Sequence, residues 1–344
     1  MSKPAIANMN SPISHPAMRP LYFLVPGTSS KFGSGGLWAE LSQVKLAQQI
    51  CEAQVVTYEQ REPDTLFLDD LLQSTDGDRQ IFVMSWGFHV PKLVKKLRGF
   101  HAVYRAHSAG YRFTLPPDIP ILAVSRNTLG YWGQRSSNSL LYYLPNAIGE
   151  EFHNQNLARD IDVLVQTRKS SGYLLHQLVP QLQSRCTVKV LDRYVDDLAG
   201  LFNRTQVYLY DSAEYWGQYG VSEGFGLPPM EAMACGCQVF SSVNGALADY
   251  LDPGVNCHKI AAHSTEFDMQ RILAQVNAPH EASVPDSFFD PYRATALISR
   301  MRIILTEINT FFDHKRSHAA NISALTPSRR TQLLLKRIRK KLQR

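Results

Sequence analysis

Between Val221 and Cys237 the chain reads VSEGFGLPPMEAMACGC, which sets Glu223 and Glu231 eight positions apart around a Gly-Phe-Gly-Leu-Pro-Pro turn. Proline suits the first turn of a helix, and glycine suits the residue just past its end. Pro228, Pro229 and Gly236 therefore bracket a helix at about 229–235. A helix start offers unpaired N–H groups and the positive end of the helix dipole, which together suit a phosphate. Gly224 and Gly226 let the backbone approach a ligand that a Cβ would hold off. Glu231 falls in the first turn, with a carboxylate able to accept hydrogen bonds from hydroxyl groups. The pattern fits a diphosphate with a sugar on each side, Glu231 serving a ribose and Glu223 the other sugar.

The flanking segments give that helix its setting. Apolar runs at 207–209 and 238–240 read as strands on either side of it. Upstream, runs at 161–165 and 188–190 alternate with a helical pattern at 173–183. An earlier alternating unit has strands at 21–25, 55–57, 81–84, 102–104 and 121–124, with helices at about 37–51 and 64–74. Strands spaced by helices predict mainly parallel sheets covered on both faces. A polar stretch at 150–160 separates the two units. Two such domains place a ligand cleft at the carboxyl ends of both sheets.

At 344 residues and 44% hydrophobic content the chain can bury two cores. It has no run of about 18 apolar residues, and its first twenty residues lack a hydrophobic signal centre, so a soluble cytoplasmic protein is expected. Five cysteines without zinc-like spacing read as reduced thiols. The net charge of +6 is local: from Thr326 onward there are eight Lys/Arg and no acid, and the remainder carries 28 basic against 30 acidic residues. That distribution argues against a nucleic-acid partner.

Glu223-Gly-Phe-Gly-Leu-Pro-Pro-Met-Glu231 resembles the E-x7-E signature of retaining GT-B glycosyltransferases of the family 4 type. Leu144-Pro-Asn-Ala-Ile148 resembles the family's segment at the domain junction, with Ala147 where glycine is usual. Ala123-Val-Ser125 and Asp160 to Lys169 resemble two further segments in the family's order. The resemblance implies two Rossmann-like α/β domains facing across a cleft, with a C-terminal helix returning to the first. The expected division is a disordered segment at 1–18, an acceptor domain at 19–150 and a nucleotide-sugar domain at 151–285. A crossover helix at 286–314 and a basic amphipathic tail at 315–344 complete it.

The same resemblance implies roles. Arg168 and Lys169 would neutralise the donor diphosphate, and Gly35 and Gly36, in a loop after the first strand, would approach it. His107 would sit by the reacting sugar, with His89 as the competing histidine; Arg105 and Arg112 beside it could meet an anionic acceptor but read first as solvated surface. Glu223, Gly224, Phe225, Gly226, Leu227 and Glu231 would hold the donor, a UDP- or GDP-sugar. His107, Glu223, Arg168 and Lys169 form the expected catalytic set. Transfer would retain the anomeric configuration without a metal or other cofactor, the cations and helix N–H groups stabilising the leaving diphosphate. Asp76 and Asp78, which match a metal-binding D-x-D pattern, read as turn residues.

The acceptor would be a saccharide or a lipid-linked molecule, in surface polysaccharide or glycolipid synthesis. Leucines and cations interleave at 329–344, a pattern that fits an anionic membrane surface and would place the enzyme peripherally on the inner face. The alternative is a nucleic-acid-associated GT-B protein, either a DNA-modifying transferase or a non-catalytic binder, holding phosphates with that tail.

Overall fold

The computed structural model describes residues 18–33 and 35–343. The expected disordered segment therefore lies outside the described residues except for Met18, which packs on the first core. Ser34 and Arg344 lie outside them as well.

A first sheet has seven strands: β1 (Leu21–Val25), β2 (Ala53–Thr57), β3 (Leu66–Phe67), β4 (Ile81–Met84), β5 (His101–Ala106), β6 (Ile121–Ala123) and β7 (Leu141–Tyr143). Its order is β3-β2-β1-β4-β5-β6-β7. A second sheet has β8 (Ile161–Gln166), β9 (Val188–Leu191), β10 (Thr205–Tyr210), β11 (Gln238–Ser241) and β12 (His258–Lys259), in the order β12-β11-β10-β8-β9. Every strand pairing is parallel. The short edge strands β3, β7 and β12 are additions to the sequence reading. The helical pattern at 173–183 is irregular: Leu174–Leu178 is wound as a π-helix and Val179–Gln183 as an α-helix, with Pro180 at their junction.

Each sheet has an apolar cluster on both faces. Phe23, Val83 and Val103 point into one cluster of the first sheet, Leu24, Phe82 and Tyr104 into the other. The long Ala294–Ser317 helix fills the first of these with Leu297, Met301, Ile304, Leu305, Ile308 and Phe312. Burying each such side chain contributes roughly 1.5–3 kcal/mol, so the chain's return to its first sheet is a strong clamp. All five cysteines are unpaired. No helix among the described residues is long and apolar enough to cross a membrane.

Candidate active site

The loops after β5 and β10 meet, so the carboxyl ends of the two sheets face one another. Ser222 N donates to the Ala109 carbonyl at 2.9 Å, and Ala109 N donates to Ser222 Oγ at 3.3 Å. The approach is closest at Gly224, where a Cβ would lie 1.3 Å from the His107 carbonyl oxygen. Glycine is required there by contact with the other domain. Asp249 adds a second bridge, accepting from the backbone N–H groups of Arg126 and Asn127 at 2.5 and 3.3 Å.

Glu223 is buried and held by three donors on one oxygen: Tyr210 Oη at 2.7 Å, Ser212 Oγ at 3.0 Å and Trp216 Nε1 at 2.6 Å. Its other oxygen lies 4.0 Å from Lys169 Nζ. Lys169 sits over the Trp216 ring at 4.3 Å, with a left-handed backbone (φ 66°) unusual for a side chain of its size. Burial pulls the Lys169 pKa below its ordinary value, and the Glu223 charge opposes that pull. The Ala213–Tyr219 helix thus supplies a residue absent from the sequence-derived set: Trp216, which binds both catalytic candidates. Arg168 is exposed and reaches the Gly33 carbonyl across the cleft at 3.4 Å.

The predicted helix runs Leu227–Ala234, with Gly226 at its N-cap (φ 78°). Pro228 and Pro229 have no N–H, so the backbone donors left at this start are Gly226 and Leu227. That is fewer than an ordinary helix offers a phosphate. Phe225 turns its side chain into the core beside Tyr250 and Tyr292, leaving only its backbone for a ligand. Glu231 is half-buried, and no described side chain hydrogen-bonds its carboxyl. Burial, with the charge of Glu151 adding, raises its pKa to about 8.

Gly35 and Gly36 form the first residues of the Gly35–Ala47 helix and not a loop before it, and a Cβ at Gly35 would meet nothing within 4 Å. On the same helix Glu40 is fully buried. It accepts from His107 Nε2 at 2.5 Å and pairs with Arg105. Arg105 in turn donates to Asn146 Oδ1 at 2.7 Å. The solvated reading of Arg105 is therefore wrong: β5 is covered on both faces, and its one cation needed an internal carboxylate. His89 stands apart from this cluster, bonded to Tyr58 at 2.7 Å. Asp76 and Asp78 pair with Arg79 and Arg316.

Residues 173–277 match the family model of the glycosyl transferases group 1. A glycosyltransferase from Rickettsia africae superimposes with a TM-score of 0.61 at 10% identity, over 85% of this chain and 98% of that one.

The fold is GT-B.

Sucrose-phosphate synthase from Thermosynechococcus elongatus gives the same answer (TM-score 0.58, 13% identity, 85% and 99% of the chains). So does a pneumococcal O-GlcNAc transferase in complex with UDP and GlcNAc (0.59, 8%, 85% and 99%). No curated protein matches the chain. In GT-B terms, His107, Ala109, Ser222 and Gly224 lie where the two domains face one another, and the matched segment contains both Glu223 and Glu231.

Proposed function

We propose that this chain is a retaining glycosyltransferase that moves a sugar from a nucleotide-diphosphate sugar to an acceptor hydroxyl. The observation that carries the reading is the contrast between the two carboxylates: Glu223 held by three donors on one oxygen with Lys169 facing the other, Glu231 with no side-chain donor among the described residues. A carboxylate already holding three hydrogen bonds is a poor nucleophile and a rigid positioner, which favours sugar placement by Glu223 over covalent catalysis. Glu231 lies one turn further into the helix than its expected place in the first turn, because the helix starts at Leu227, and its carboxyl has acceptor capacity for two ribose hydroxyls.

Leaving-group charge would fall to Arg168, Lys169 and the Gly226 and Leu227 N–H groups. With that neutralisation supplied by the protein, transfer runs without a metal, and chelator leaves the rate unchanged. The leaving phosphate oxygen takes the acceptor's proton, so the new bond forms on the face the donor leaves. The pneumococcal relative was solved with UDP, and so was an Anabaena relative, with glucose (TM-score 0.54, 14% identity, 87% and 98% of the chains). Those complexes favour a UDP-sugar as the donor here.

The acceptor is assigned to a surface pocket of about 480 Å³ between the domains, lined by Ala109, Gly110, Arg126, Asn127, Tyr131 and Ser222. Its mixture of amide, phenol and guanidinium suits a saccharide. The Pro327–Leu342 helix starts at the rim of this pocket, Arg330 donating to the Gln134 carbonyl at 3.3 Å, and buries none of its residues. Leu334, Ile338 and Leu342 stay exposed on a helix with no acid, which suits an anionic bilayer and a glycolipid or lipid-linked polysaccharide acceptor.

The test is thermal unfolding against UDP, GDP, ADP, CMP and dTDP, repeated with Glu231→Ala. One nucleotide should raise the midpoint in the wild type and lose its effect in the variant. The reading is overturned if no nucleotide shifts the midpoint, or if the variant responds as the wild type does.

A further inference from the structure

The cluster behind His107 is assembled from three separate parts of the first domain: Glu40 on the helix after β1, Arg105 within β5 and Asn146 after β7. Glu40 receives both Arg105 Nη1 and His107 Nε2 on the same oxygen, Oε1. Its second oxygen and Arg105 Nε are buried without hydrogen-bond partners. A buried ion pair with unmet polar atoms adds little net stability over an apolar filling of the same space. What the arrangement does supply is orientation.

Arg105 has only donors, so the oxygen it binds must be an acceptor. At 2.5 Å from that oxygen, His107 Nε2 must carry a proton, since two lone pairs would repel at that distance. The Arg105 guanidinium, 3.4 Å from the same nitrogen, disfavours a second proton on the ring. Burial acts in the same direction, holding the imidazole below its ordinary pKa against the pull of Glu40. The ring is then neutral, with its only lone pair on Nδ1, and 18% of the side chain remains open to the cleft.

We propose that Glu40 is a positioning residue: it fixes His107 in the Nε2–H tautomer and so makes Nδ1 a hydrogen-bond acceptor for a hydroxyl of the bound sugar. His107 thereby acts as a neutral acceptor, distinct from the cations that face the diphosphate. The tautomer follows from the cluster itself; only the identity of the hydroxyl rests on the glycosyltransferase reading.

Full-length protein labelled with 15N-histidine, with His107→Gln to identify the ring, gives the tautomer directly from two-bond 1H–15N spectra. Between pH 6 and 8 the wild type should show a protonated Nε2 and a bare Nδ1. Glu40→Gln should mix the tautomers and lower kcat about tenfold, the worth of one aligned hydrogen bond, with nucleotide affinity unchanged. Glu40→Asp, which keeps the charge, should restore the wild-type spectrum in part. An Nδ1–H or doubly protonated His107 at pH 7 overturns the proposal, and that spectrum decides it even where Glu40→Gln does not fold or transfer is not detected. A Glu40→Gln protein with wild-type tautomer and kcat overturns it equally.

Discussion

Acidifying the solution from pH 8 to pH 6 should weaken donor binding steeply, and Glu231 sets the size of the effect. In the free protein its pKa stands at about 8 because burial, and then the Glu151 charge, disfavour ionisation. Ribose hydroxyls donating to the carboxylate favour the ionised form, which returns the bound-state pKa to about 5, near the ordinary range. Below pH 8 each binding event must then expel a proton, and linkage gives a roughly 50-fold rise in Kd between pH 8 and pH 6. A nucleotide sugar is the right probe, because its diphosphate has no titration in that window. Lys169, a cleft cation whose pKa burial lowers, would lose charge on raising the pH and so acts in the opposite sense. Isothermal titration across the range measures the effect, Glu231→Gln should flatten it, and Glu151→Gln should move it to lower pH. A wild-type Kd that changes less than about threefold would refute the assignment of Glu231 to the donor. The same shift has a stability counterpart whose sign is fixed. A carboxyl with a folded pKa above its unfolded value of 4.5 adds stability that is fully present below 4.5 and is lost as pH rises toward 8. Glu231→Gln should therefore melt higher than wild type at pH 9 and equally at pH 4.

Three other perturbations separate the parts of the site. Trp216→Phe keeps the ring under Lys169 but deletes the 2.6 Å bond to Glu223; a hydrogen bond to a charged group is worth roughly 1.5–3 kcal/mol, so kcat/KM should fall by about 10- to 100-fold in a transfer assay. Gly224→Ala forces a methyl onto the His107 carbonyl, so the unfolding midpoint should drop by at least roughly 4 °C and the scattering radius should grow; an unchanged radius would mean the seam yields locally. A chain ending at Thr326 should lose co-sedimentation with anionic vesicles while melting as the wild type does, because residues beyond it bury nothing.

The central strands were readable because each is a short apolar run closed by polar residues, and the Glu223 to Glu231 turn because glycine and proline have few alternative uses there. The edges were harder. β3 and β12 have two residues each, too few for any period to register, whereas β7 lies in the apolar run Leu140 to Leu144 and left a signal that went unread. Glu40 was legible in principle, since Leu37, Glu40, Val44 and Ala47 share one helical face and three of the four are apolar. A charge in such a register asks for a buried partner, and Arg105, between Tyr104 and Ala106 in a strand covered on both faces, asks for the same. Their pairing is a long-range fact that neither local pattern contains. Trp216 stands seven residues before Glu223 in sequence, but the distance that ties its Nε1 to that carboxylate exists only once the Ala213–Tyr219 helix folds back.

The seam at Gly224 bears on how this fold could be rebuilt. The contacts that join the halves at His107 to Ala109 run through main-chain carbonyls and N–H groups against a glycine and a serine. Side chains enter the join beside it, Asn127 Nδ2 donating to Ser222 Oγ at 3.3 Å and Asp249 accepting from the 126–127 N–H groups. A chimaera that joins the second domain to a different first domain would have to reproduce the backbone path at 107–109, the 126–127 N–H groups that meet Asp249 and a face able to receive the Ala294–Ser317 helix, so that domain exchange becomes largely a problem of backbone geometry.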